Sequence, residues 1–110
     1  MPQRTRPARS LQSVVDQIIL VALRKHRFAV PGYTWFEVIE SNDQGLNLKR
    51  AKGTQALIRR SVLERAVQAV REDPRRYIAG PSSLRSVGIT HVTSPAWSLV
   101  RLLSLNDLTE

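Results

Sequence analysis

The sequence contains no cysteine, which excludes disulfides, thiolate metal ligands and a cysteine nucleophile together. Histidine is almost as scarce. His26 and His91 are the only two, they lie far apart, and neither belongs to a metal-ligand pair of the H-x-x-x-H type. Acidic residues number 9 against 17 Lys and Arg, so few carboxylates are available for acid–base chemistry. No G-x-x-x-x-G-K-[ST] loop and no G-x-S-x-G elbow occurs. Glu37 and Glu40 lie three positions apart, but no other ligand type accompanies them, and they read as helix-capping and solvated groups. The expectation is a protein that is not an enzyme, with no cofactor and no metal.

Long apolar runs are absent too. The longest, Ile18 to Leu23, is far below the roughly 18 residues that a membrane-spanning helix needs. Arg4, Arg6 and Arg9 precede an apolar stretch, but Asp16 interrupts it and no small-residue cleavage pattern follows. Neither a membrane partner nor a secretory signal is expected, and the expected location is cytoplasmic.

What the chain does have is positive charge. Over 110 residues the net charge is +8, and the hydrophobic fraction of 42% is enough for one packed domain. The charge is uneven. Residues 1–27 carry +5, residues 28–48 carry −3, residues 49–76 carry +6 and residues 77–110 balance. Two basic blocks flanking an acidic one point to a polyanion as partner. Arg supplies 14 of the 17 cations, and its planar fork grips phosphate through paired hydrogen bonds.

Residues 1–9 are rich in Pro and Arg without apolar periodicity and read as a flexible basic arm. A single domain is expected over 10–106, with 107–110 as a tail. Its first helix is predicted from an N-cap at Ser10 to about His26, because Leu11, Val14, Val15, Ile18, Ile19, Ala22 and Leu23 recur at three- and four-residue spacing. Pro31-Gly32 marks a turn. Thr34-Trp35-Phe36-Glu37 matches a capping box, with Tyr33 and Val38 placed as a hydrophobic staple, and predicts a short helix from Trp35 to Ser41. A long helix is expected from Thr54 to Glu72, a short one after Asp73-Pro74, and a last one from Ser94-Pro95 to about Asn106. Only Val87, Ile89 and His91 alternate as a strand would. The predicted fold is therefore mainly all-α. It is a small bundle of four to five helices behind a basic arm, with at most a short strand or hairpin near 86–93.

Three cationic groups are the candidate nucleic-acid contacts: Arg4, Arg6 and Arg9 in the arm; Lys49, Arg50 and Lys52 in a presumed loop, with Arg59 and Arg60 beyond; and Arg75 with Arg76. On one common face they would make six to ten phosphate contacts, which set position without reading bases. Four of the six aromatics cluster at 28–36, and Tyr33 and Trp35 are the candidates for stacking on a base. The expected function is that of a non-catalytic small subunit that holds RNA or DNA by its backbone, within a larger assembly or a homo-oligomer. Two alternatives remain open. One is a sequence-specific helix-turn-helix or winged-helix regulator, with Thr54, Gln55, Arg59 and Arg60 opening its recognition helix. The other is a structural or adaptor protein for acidic partners. In size, charge and expected helicity alone, the chain resembles the small helical subunit of CRISPR interference complexes.

Overall fold

Residues 9–110 are described by a computed structural model, and the arm expected at 1–9 lies outside them except for Arg9. The first helix, α1 (Leu11–Lys25), forms where its periodicity placed it. The Ser10 hydroxyl caps it by accepting the Ser13 N–H at 3.0 Å, and Val14, Val15, Ile18, Ile19 and Ala22 are buried. Its exit is tight. His26 takes a positive φ of 64°, and the His26 carbonyl accepts the Val38 N–H at 2.7 Å. The helix therefore hands the chain directly to a sheet.

That sheet overturns the expected helical bundle. Four antiparallel strands run as a meander in the order β1 (Arg27–Ala29), β2 (Trp35–Asn42), β3 (Gly45–Arg50) and β4 (Gln55–Arg59). The predicted helix at 35–41 is β2. Residues 55–59, expected as the first turn of a long helix, are β4. A four-residue capping motif is a weak signal beside the character of its surroundings. Tyr33, Thr34, Trp35, Phe36, Val38 and Ile39 are aromatic or β-branched, and such side chains suit a half-buried pleat. Phe36 and Val38 face inward while Trp35 and Glu37 face out, a period of two. Leu46 and Leu48 of β3 and Ile58 of β4 complete the inner face.

The turns explain why the pairing closes locally. Pro31-Gly32 turns β1 into β2, with the Tyr33 N–H bonded to the Val30 carbonyl at 2.9 Å and Gly32 at φ 87°. Asn42-Asp43-Gln44-Gly45, which follows the expected helix, links β2 to β3. The Asn42 side-chain oxygen accepts the N–H groups of Gln44 and Gly45. The loop that holds Ala51, Lys52 and Gly53 joins β3 to β4, and the Arg50 N–H is bonded to the Thr54 carbonyl at 2.8 Å. Thr54 therefore closes a hairpin rather than capping a helix.

Helices cover one face of the sheet. α2 (Arg60–Glu72) follows β4 directly and buries Leu63, Ala66, Val67, Ala69 and Val70, beside α1. After it come α3 (Arg76–Ala79), a 3-10 stretch over Pro81–Val87, α4 (Thr93–Val100) and α5 (Leu105–Thr109). The strand or hairpin expected near 86–93 is absent: Gly88 caps the 3-10 stretch with a φ of 88°, and no strand of the sheet includes these residues. The helix predicted from Ser94 to Asn106 breaks after Val100, and Ser104 caps α5 by accepting the Asp107 N–H. Residues 107–110 belong to α5 and its end, and Leu108 is fully buried.

The two ends of this region meet. The Arg9 N–H donates to the Glu110 carbonyl at 2.7 Å, and Arg71 donates to the carbonyls of Leu108 and Arg9 at 2.6 and 2.8 Å. One core results, with Phe36, Leu46, Leu48 and Ile58 of the sheet against Ile18, Leu63 and Trp97 of the helices.

Gly45 is the position where the packing leaves no room. Its φ is 152°, and a Cβ there would lie 2.1 Å from the Ile58 carbonyl oxygen, a backbone atom. Gly53, at φ 93°, has open space around it. Gly53→Ala should cost about 1 kcal/mol of backbone strain. Gly45→Ala should cost at least twice that, measured by urea denaturation, and equal losses for the two variants would contradict this register of β3 on β4.

Candidate nucleic-acid interface

The face of the sheet away from the helices holds most of the exposed cations of the β-strands. Strand alternation puts Arg27 and Ala29 of β1, Trp35 and Glu37 of β2, Asn47 and Lys49 of β3, and Gln55, Leu57 and Arg59 of β4 on this side. Register aligns Arg27, Glu37, Lys49 and Gln55 as one row across all four strands. The Arg27 guanidinium sits 4.3 Å from the centre of the Trp35 ring, a cation–π stack. It is also 3.6 Å from the Glu37 carboxylate, which His26 approaches at the same distance. Opposite-sign neighbours across strands stabilise each pair modestly, by a few tenths of a kcal/mol. Glu37 thus lies between Arg27 and Lys49 as the carboxylate of this row.

The ten cations expected at the interface fall into separate groups. Lys49 and Arg59 lie on the open face, about 13 Å apart along the strands, given the rise per residue of a strand. Arg50 and Lys52 lie at the β3–β4 turn, at the Lys49 end of the strands and away from Arg59. Arg50 points to the opposite, helix-covered side, where it is half-buried.

The others are placed elsewhere. Arg60 at the start of α2 forms an ion pair with Asp16 of α1. Arg75 forks onto the Asp73 carboxylate, at 2.9 and 3.2 Å, and that hydrogen bond holds the Asp73 carboxyl below its usual pKa. Arg76 donates to the Ser83 carbonyl and, at 2.9 Å, to the Ser86 hydroxyl. Arg9 joins the two ends of the described region, and Arg4 and Arg6 lie outside the described residues.

The two aromatic candidates also part. Tyr33 packs on Trp97 with ring centres 4.9 Å apart, on the helix side. Trp35 remains on the open face, flat against Arg27 and partly exposed. Phe28 and Phe36 are buried in the core, 5.9 Å apart.

Several guanidinium groups that the charge count could not distinguish turn out to be structural. Arg101 lies over the rings of Tyr77 and Trp97, at 4.4 and 5.2 Å, and donates to the Tyr77 carbonyl at 2.9 Å. The Tyr77 hydroxyl donates to the Leu103 carbonyl, and the Trp97 indole N–H to the Arg76 carbonyl. These bonds fasten Arg76 and Tyr77 to α4 and to the residues just after it. Arg27 and Gln55, by contrast, belong to the open face; Arg27 was missed as a site residue, and Gln55 was considered only as part of a recognition helix. Both fell inside stretches read as helix ends, and only the alternation around Phe28 and around Ala56 would have shown them.

Among the described residues, no group of three or more His, Asp or Glu side chains is placed to hold a metal ion, and no helix is long and apolar enough to cross a membrane. No protein-family model, no curated protein and no solved structure matches the chain.

The division between structural and surface cations is measurable. Arg101→Ala should lose about 2 kcal/mol, because it removes a charged hydrogen bond and two ring contacts. Lys49→Ala and Arg59→Ala should each stay within about 0.5 kcal/mol of the parent. Denaturant midpoints compare all three, and a large loss for Lys49→Ala would show that it is part of the packing.

Proposed function

We propose that this protein is a non-catalytic nucleic-acid-binding subunit that holds a single strand on the open face of its sheet. The reading rests on one arrangement: an indole, Trp35, stacked under Arg27 and set among Lys49, Gln55 and Lys52 at one end of the sheet. A partly exposed aromatic ring offers a base a stacking surface, and nearby Lys and Arg meet the phosphates on either side of it. Stacking accepts any base, so the grip would be tolerant of sequence. The net charge of +8 adds long-range attraction to the polyanion.

The geometry lowers the expected number of phosphate contacts. Among the described residues, Arg60, Arg75 and Arg76 already have partners, which leaves about four contacts from the expected cations at the sheet, Lys49, Arg50, Lys52 and Arg59. The helix-turn-helix alternative loses its first helix, because residues 35–41 are β2. A place in a larger assembly is supported by two leucines that α1 leaves on its surface, Leu20 and Leu23, which are 55% and 43% exposed.

Fluorescence anisotropy with single-stranded oligonucleotides of unrelated sequence tests the proposal. Four contacts to a single strand imply an affinity loss of about 50-fold between 50 and 200 mM salt. Trp35→Ala should lower affinity by about tenfold or more, the worth of one stacked base. Salt-independent binding, or a Trp35→Ala protein that binds as the parent does, would reject the open face as the interface.

A further inference from the structure

A cavity of about 210 Å³ lies at the β3–β4 end of the domain, lined by Thr34, Phe36, Arg50, Ala51, Lys52, Ser94 and Pro95. Its lining contains two cations and two hydroxyl groups, and no carboxylate. We infer that this cavity is the seat of a phosphate group, held by the Arg50 guanidinium with Lys52, Thr34 and Ser94 around it. The inference deepens the proposed nucleic-acid reading, since it assigns one phosphate of the bound strand to a defined place beside Trp35.

The state of Arg50 carries the inference. Its backbone is paired in β3, but its side chain points under the sheet instead of into solvent. There its Nε is buried and makes no hydrogen bond, and its terminal nitrogen reaches only the His91 carbonyl, at 3.4 Å. A buried guanidinium donor without an acceptor is costly, and the cost falls when an anion supplies one. Arg76 and Arg101 also leave Nε unbonded. Both, however, give other N–H groups to acceptors at 2.9 Å, and neither lines this cavity. Arg50 therefore combines a buried unbonded donor with this cavity and has no carboxylate partner.

The rest of the lining matches a tetrahedral oxyanion. α4 begins at Thr93 after Val92, which supplies no side-chain cap, and the first helical bond is from the Ala96 N–H to the Val92 carbonyl. The free N–H groups of its first turn are those of Thr93 and Ser94, because Pro95 has none, and the positive end of the helix dipole adds to Arg50 and Lys52. Phe36, Ala51 and Pro95 form the apolar part of the wall, which strengthens the charge interactions. The guanidinium of Arg50 in β3, the ammonium of Lys52 in the following turn and the hydroxyls of Thr34, just before β2, and Ser94, in α4, belong to residues that line the cavity. Thr34 connects this cavity to the open face, because it adjoins Trp35 in the chain.

Titration of the full-length protein with inorganic phosphate, at ionic strength held constant with sodium chloride, tests the seat. Nitrogen–proton NMR should show saturable shifts at the Arg50 Nε–H and at the Thr93 and Ser94 amides. Ser94→Glu places a carboxylate at the mouth of the cavity, at a helix N-terminus that tolerates acidic residues, and should weaken phosphate at least tenfold. Arg50→Gln should do the same, and Ser94→Glu decides the matter if Arg50→Gln does not fold. Oligonucleotides with a 5′-phosphate or a 5′-hydroxyl distinguish the source. Equal weakening of both by Ser94→Glu assigns an internal phosphate, and weakening of the 5′-phosphorylated strand alone assigns the terminal one. Shifts spread evenly over surface cations, or phosphate binding unchanged in Ser94→Glu, would overturn the seat. If the seat fails while Trp35→Ala still loses the oligonucleotide, the stacking face stands without it. If Ser94→Glu loses phosphate while neither variant changes oligonucleotide binding, the cavity serves a free phosphate and the strand reading falls.

Discussion

Burial of one face of the meander beneath α1 and α2 is the constraint from which the other features follow. Phe36, Val38, Leu46, Leu48 and Ile58 leave water only when β2, β3 and β4 hold their observed register, because a slip of one residue would turn every inner side chain outward. Fully burying each of these side chains contributes about 1.5 to 3 kcal/mol, before the entropy of ordering is subtracted. The same register decides the outer face. Once Leu48 points in, Lys49 points out and Arg50 points in, and adjacent cations in the chain acquire different environments.

That separation gives the region around residues 49–52 its chemical character. Lys49 stays in water on a row with Arg27 and Gln55. Arg50 is carried under the sheet toward α4, and Lys52 occupies the turn that follows β3. A polyanion approaching this end of the molecule would meet a stacked indole first and a recessed guanidinium second. Much of the remaining positive charge is already committed. Arg71, Arg76 and Arg101 satisfy backbone carbonyls that the short helices leave open, and Arg60 ties the two long helices together through Asp16. In a small domain without disulfides, such charged hydrogen bonds to carbonyls do the work of longer helices and a larger core.

The helices were legible where they had length. α1 follows the spacing of Val14, Val15, Ile18 and Ala22, and the body of α2 follows that of Leu63, Ala66, Val67 and Val70. The strands were not legible, for a specific reason. Each has only three to eight residues, and apolar positions two apart in a short stretch also fit a helix turn. At Trp35 the Thr34–Glu37 spacing imitated a capping box, and at Gln55 a strand ran without a break into α2, so the two looked like one long helix. The turn residues were read as turns, but as helix stops rather than as hairpins. Of the candidate site, Lys49, Lys52 and Trp35 were visible as basic and aromatic residues, whereas Arg27 and Ser94 were not singled out as contacts.

The sequence by itself determined the amount and sign of the charge, the absence of thiol chemistry, and the two long amphipathic helices, because these depend on composition and on local periodicity. The tertiary structure alone decided which cations face water and which are bound within the fold. That choice depends on strand register and on which carbonyls lie within reach, relations between residues as far apart in the chain as Arg50 and His91 or Arg9 and Arg71.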